Sequence, residues 1–166
     1  MKYFYFLIML CISSALFGQG NAYKRKAEQK AVKFAYEILK VYYPSNQICV
    51  SDSIYNGLPW FLFLDYVDEE TKKELMSGKI LPDNRHTCPV YSKKLASLFV
   101  NYNSNCNDYK YVADFSGPYR GMIMCEILPK DRKIGIHGAP RIQEFLFKYD
   151  ETGEINQVIR IEVDVD

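Results

Sequence analysis

Gln143-Glu144-Phe145-Leu146-Phe147-Lys148-Tyr149, then Asp150-Glu151-Thr152-Gly153, then Glu154-Ile155-Asn156-Gln157-Val158-Ile159-Arg160-Ile161-Glu162-Val163-Asp164-Val165, is the stretch that decides the fold. Phe145, Phe147 and Tyr149 alternate with Leu146 and Lys148. Beyond the turn, Ile155, Ile159, Ile161, Val163 and Val165 alternate with Val158, Arg160, Glu162 and Asp164. Period-two alternation on both sides of a glycine-ended turn predicts an antiparallel hairpin with one buried face. Gly153 is the natural occupant of the left-handed position that closes such a loop. A lone hairpin does not hold its own apolar face, so another element must cover it.

That cover is expected upstream. Ala27, Ala31, Phe34, Ala35, Ile38, Leu39 and Tyr42 recur at three- and four-residue spacing, with Lys26, Lys30, Lys33, Glu37 and Lys40 on the other side. This is the pattern of an amphipathic helix. Asn21 is suited to cap its start. Pro44 ends it, with Tyr43 pushed out of helical geometry. The spacing sets Phe147 and Ile161 of the hairpin against Phe34 and Ile38 of the helix.

Between these ends, Ile48 to Ser53 reads as a short strand. Trp60 to Val67 is apolar and could be either a strand or a helix start. Asp68-Glu69-Glu70 opens a short helix, with acids where they complement its dipole. Pro89 opens another, with a stripe of Tyr91, Leu95, Leu98, Phe99 and Tyr102. Tyr109 to Phe115 alternates as a strand. Tyr119 to Leu128 is almost continuously apolar from Met122, as for an inner strand covered on both faces. Helices first and strands after predict an α+β fold, with N-terminal helices packed on one face of a curved antiparallel sheet that ends in the C-terminal hairpin. This order of elements over 21–165 resembles the nuclear-transport-factor-2-like superfamily, and the cystatin-like helix-on-sheet arrangement shares it. The resemblance implies a sheet wrapped around helices, often leaving a pocket, and it transfers no functional residue.

The first residues read differently. Lys2, an apolar run from Tyr3 to Ile12 and the small or polar residues Ser13 to Gly20 match a secretory signal peptide. The run is shorter than the roughly 20 residues a spanning helix needs. The expected organisation is therefore a signal over 1–20 and a single domain over 21–166, secreted or periplasmic, with no transmembrane span in the mature chain. Lipid anchoring through Cys11 is the lesser alternative, because Met9-Leu10 stand where small residues would be needed. Charge is balanced, 21 Lys+Arg against 20 Asp+Glu, so the global field gives nucleic-acid binding no support.

With Cys11 in the signal, Cys49, Cys88, Cys106 and Cys125 remain, and in an exported chain they permit disulfides with three pairings. Cys88 and Cys106 flank the helix opened by Pro89. Asn101 to Cys106 is just long enough to run back along it. A Cys88–Cys106 bridge is expected on that ground, with Cys125 free and buried in the inner strand.

Chemical motifs are sparse. His86-Thr87-Cys88 lacks the spacing of a structural zinc site. The carboxylates Asp65, Asp68, Glu69 and Glu70 lack a calcium-loop pattern. The turn Ser116 to Gly121 fits neither phosphate-binding glycine motif. No cofactor or catalytic residue is assigned. What remains is aromatic richness, with 14 Tyr, 10 Phe and one Trp, enough to line a pocket or an interaction surface as well as a core. Trp60, Tyr102, Tyr119, Arg120 and His137 are the expected ligand-binding residues of a non-catalytic domain that takes a small molecule or a protein. The alternatives are a cell-envelope hydrolase using Cys88 or Cys106 with a histidine, and a secreted inhibitor acting by loop insertion.

Overall fold

The computed structural model describes residues 23–51, 54–55, 59–77, 96–99, 106–130 and 142–163. The first helix, α1, spans Lys26–Tyr42. It starts later than Asn21, which lies outside the described residues. Its N-cap is Arg25, whose backbone N–H donates to Glu28 Oε2 at 2.8 Å. The Arg25 Nε donates to the other carboxylate oxygen at 2.6 Å. Glu28 thus satisfies an orphan donor at the helix start. At the other end Tyr43 is extended, at φ −128° and ψ 114°, as Pro44 requires.

Among the described residues five strands follow: β1 (Ile48–Val50), β2 (Tyr111–Phe115), β3 (Met122–Pro129), β4 (Ile142–Tyr149) and β5 (Ile155–Val163). They form one open sheet in the order β1-β2-β3-β4-β5, with β1 parallel to β2 and every other pair antiparallel. The helix-first α+β fold on a mostly antiparallel sheet is the one the order of elements implies. The C-terminal hairpin is present, and Gly153 holds its turn at φ +81°. A Cβ there would stand 2.3 Å from the Ala27 carbonyl oxygen, so the turn and the first turn of α1 meet backbone to backbone. Asp150 Oδ1 accepts from Thr152 N at 2.8 Å and from Glu154 N at 3.0 Å, which closes the loop.

The pairing register decides which side chains share a face. Phe145 stands opposite Cys125 and Arg160, and Phe147 opposite Ile123 and Val158. Leu146 stands opposite Met124 and Ile159. On the first face Phe145, Phe147, Tyr149, Ile123, Cys125, Ile127, Ala113 and Phe115 pack with Ala31, Val32, Ala35, Tyr36 and Leu39 of α1. On the second, Met122, Met124, Leu146 and Ile159 pack with Trp60 and Phe63, which lie in a 3-10 helix spanning Trp60–Tyr66. A short helix, α2 (Glu69–Met76), adds Leu75 at the margin of that cluster. Asp68 caps it by accepting from Thr71 N at 2.9 Å. The sheet is therefore covered on both sides.

Two expectations are corrected here. Phe147 does face α1, but Ile161 packs at the margin of the second cluster. The hairpin register pairs Glu144, not Phe145, with Ile161, so Ile159 and Ile161 of β5 and the phenylalanines of β4 serve opposite faces. The buried stripe of α1 is also rotated. It runs through Glu28, Ala31, Val32, Ala35, Tyr36 and Leu39, while Phe34 and Tyr42 are exposed. Phe34, Ile38 and Val41 make a second apolar strip on the flank, and the sequence alone merges the two.

Replacing Phe147 by Ala should cost about 3–5 kcal/mol in urea unfolding, since the side chain is fully buried. Asn156→Ala, on the exposed side of β5, should cost under about 0.5 kcal/mol. Gly153→Ala should cost more than about 1 kcal/mol through its positive φ alone. Equal losses at Phe147 and Asn156 would contradict the register.

Candidate functional site

Three of the five residues expected to bind a ligand come together on the second face. Trp60 begins the 3-10 helix and is buried, with its ring 5.8 Å from that of Tyr119 in an edge-on contact. Tyr119 and Met122 bracket the tight turn between β2 and β3, bonded to each other through both backbone pairs at 2.9 and 2.8 Å. Its two central residues, Arg120 at φ 45° and Gly121 at φ 73°, are both left-handed, the geometry that suits a two-residue hairpin loop. Arginine is uncommon there, and its side chain is held by α2. Arg120 Nη2 donates to Glu70 at 3.0 Å and to Glu74 at 2.7 Å, one turn apart on that helix. The Tyr119 hydroxyl donates to Glu74 as well. Burial and then the Glu74 carboxylate push that hydroxyl up to about 12. Tyr119 and Arg120 thus tie α2 to the turn before β3, with Trp60 edge-on against Tyr119. Tyr102 and His137 lie outside the described residues.

Farther along the same face, Asp114, Glu126 and Glu144 stand opposite one another on β2, β3 and β4. Like charges at directly opposite positions repel. Glu144 is the most enclosed, 1% exposed, and its Oε2 has no partner among the described residues. Burial first, then the neighbouring Glu126, push its carboxyl up to about 9, so it holds a proton at neutral pH. No cluster among the described residues is spaced to hold a metal ion.

The cysteines differ from the expected pairing. Cys106 is bonded to Cys49, with Cα atoms 5.6 Å apart, and not to Cys88, which lies outside the described residues. The reason is topological: β1 lies beside β2, and Cys106 sits in a short 3-10 turn, Cys106–Asp108, that leads into β2. The bridge removes Cys106 as a nucleophile. Cys125 is free and buried, as expected, and burial pushes its thiol well up, away from the reactive thiolate.

One concave apolar surface lies elsewhere. Phe34, Ile38 and Val41 of α1 and Ile155 of β5 line a shallow, open groove of about 380 Å³, rimmed by Glu37 and Glu154. Val41 is 82% exposed, an unusual degree for an apolar helix residue beside an apolar groove. These positions were missed because Phe34 and Ile38 read as core. Val41 was the available signal, since it continues their spacing past the buried stripe. No described strand pairs with the outer edge of β5.

No protein-family model, curated protein or solved structure matches this chain. The likeness to nuclear-transport-factor-2-like and cystatin-like proteins therefore remains one of element order.

Two measurements test the site. Peptide mapping of the unreduced protein should recover Cys49 joined to Cys106 and Cys125 alkylated only after unfolding. A Cys88–Cys106 peptide would contradict the geometry. The raised Glu144 carboxyl makes stability fall with pH. Its protonated form is favoured in the fold, so its contribution is intact below the unfolded value near 4.5 and is lost as pH rises towards about 9. The melting temperature should drop across that window, and Glu144→Gln should flatten the drop. Parallel profiles for the two proteins would rule out a buried protonated Glu144.

Proposed function

We propose that this chain is an exported binding domain whose partner is a polypeptide, docked along the outer edge of β5 and the groove between β5 and α1. The observation that carries the reading is the juxtaposition of an apolar groove with a strand edge that no described strand covers. An added strand takes its affinity from backbone hydrogen bonds and its specificity from side chains seated alongside. The groove is shallow and open, unlike the enclosed pockets that bury most of a small ligand. The corner at Trp60, Tyr119 and Arg120 is occupied by Glu70 and Glu74, which favours a polypeptide over a small molecule as the partner. Export is supported by the signal-like pattern of 1–20 together with the Cys49–Cys106 disulfide, a bond of oxidising compartments. No described helix is long and apolar enough to cross a membrane.

Native mass spectrometry of the protein from its own host should show a chain beginning near Gly20 or Asn21, in a complex heavier by a further polypeptide. Val41→Glu, at a solvent-facing position that the fold does not use, should weaken that complex about tenfold or more. A bare chain, or a small-molecule adduct indifferent to Val41→Glu, would contradict the reading.

A further inference from the structure

We propose that α2 is a latch on the second face: it opens by local unfolding while the sheet stays intact, and its contacts with Arg120 set how often. The inference goes beyond the docking reading, and none of its residues lines the groove beside β5. α2 is lightly packed. Of its eight residues only Thr71 is buried, Leu75 touches the margin of the Trp60 cluster, and Met76 is 69% exposed. A short helix is marginal without an apolar face to bury. What holds α2 to its neighbours is mainly polar. Arg120 reaches Glu70 at 3.0 Å, Glu74 at 2.7 Å and the Thr71 hydroxyl at 3.5 Å. The Tyr119 hydroxyl donates to Glu74, and Lys72 stands 3.7 Å from Asp65 of the 3-10 helix. The Glu70 and Asp65 side chains are 75% and 91% exposed. Ion pairs so exposed are weak one by one and are screened by salt.

Arg120 concentrates this attachment. Its guanidinium alone meets Glu70, Thr71 and Glu74, and it does so from a left-handed turn position that favours Gly or Asn. The turn itself makes no use of arginine, so the side chain serves the contact with α2. The other bonds of α2 are internal. Asp68 accepts from the Thr71 backbone and hydroxyl, and the Ser77 hydroxyl donates to the Glu74 carbonyl, which steadies the helix without tying it to the sheet. Next to Tyr119, Trp60 is 3% exposed and its Nε1 has no partner among the described residues. The closed corner leaves that donor unmet, a cost that water removes when the corner opens. Opening therefore costs little apolar contact and exchanges screened ion pairs and an unmet donor for hydration, whereas opening the sheet uncovers both apolar clusters.

The test combines residue-resolved amide exchange with acrylamide quenching of Trp60, the only tryptophan of the chain. In the wild type, α2 amides should exchange at least about tenfold faster than those of β3 and β4, and faster still when sodium chloride rises from about 0.05 to about 0.5 M. Arg120→Asn gives the turn a residue it favours and removes the guanidinium. It should speed α2 exchange about tenfold or more, remove most of its salt dependence and raise the quenching of Trp60, with β3 and β4 amides unchanged. Glu74→Ala breaks the same clasp from the other side at a position where alanine favours the helix, and it should act alike. An α2 that exchanges at the rate of β4, or that is indifferent to salt or to Arg120→Asn, would overturn the inference. So would an Arg120→Asn variant in which β3 and β4 speed up as much as α2, because the contact would then belong to the global fold. Should Arg120→Asn fail to fold, Glu74→Ala decides by the same readouts: faster exchange confined to α2 supports the latch, and no change, or a change shared with β4, overturns it.

Discussion

Everything in this fold depends on β4 being covered from both sides. Phe145 and Phe147 turn to α1 and are fully buried, while Leu146 between them turns the other way, onto Trp60 and Phe63. Each such side chain removed from water contributes about 1.5–3 kcal/mol. No single layer collects both sets. The chain therefore supplies two covers, and each is fastened to the sheet by polar contacts at its margins. On the first face the Gly153 turn abuts Ala27, and the Tyr23 hydroxyl donates to the Ser116 carbonyl. On the second, Lys148 donates to the Tyr66 carbonyl, and Arg120 grips Glu70 and Glu74.

The two edges of the sheet are treated in opposite ways. β1 has three residues and runs parallel to β2, a weak pairing by length and by geometry. The Cys49–Cys106 bridge closes a loop across a separation of 57 residues at this edge. On the chain-entropy account such a loop contributes about 4 kcal/mol. The β5 edge is long, bears one arginine and one glutamate two residues apart on one face, and has an apolar groove beside it. One edge is thus chemically stapled, and no described strand pairs with the other.

Much of this was legible in the sequence, and the failures have physical causes. Alternation gave the hairpin, Gly153 its turn, Pro44 the end of α1 and Asp68 the start of α2, because each of these depends on local geometry. Register is not local. Nothing in 143–165 says that Ile159 stands opposite Leu146, so Ile161 was assigned to the wrong face. The strip Phe34, Ile38 and Val41 reads as core because periodicity records apolar side chains, not whether another element reaches them. Trp60, Tyr119 and Arg120 do lie together, and Glu70 and Glu74, which engage Tyr119 and Arg120 there, could be known only from the packing of α2. The Cys49–Cys106 pair required knowing that β1 lies beside β2, a parallel contact that no spacing announces.

Residue-resolved amide hydrogen exchange bears directly on the double cover of β4. The amides of β3 and β4 should exchange slowest, because both faces of these strands are packed, and those of β1 and the outer edge of β5 should exchange faster. Amides of β4 that exchange as fast as those of β1 would contradict a sheet held from both sides.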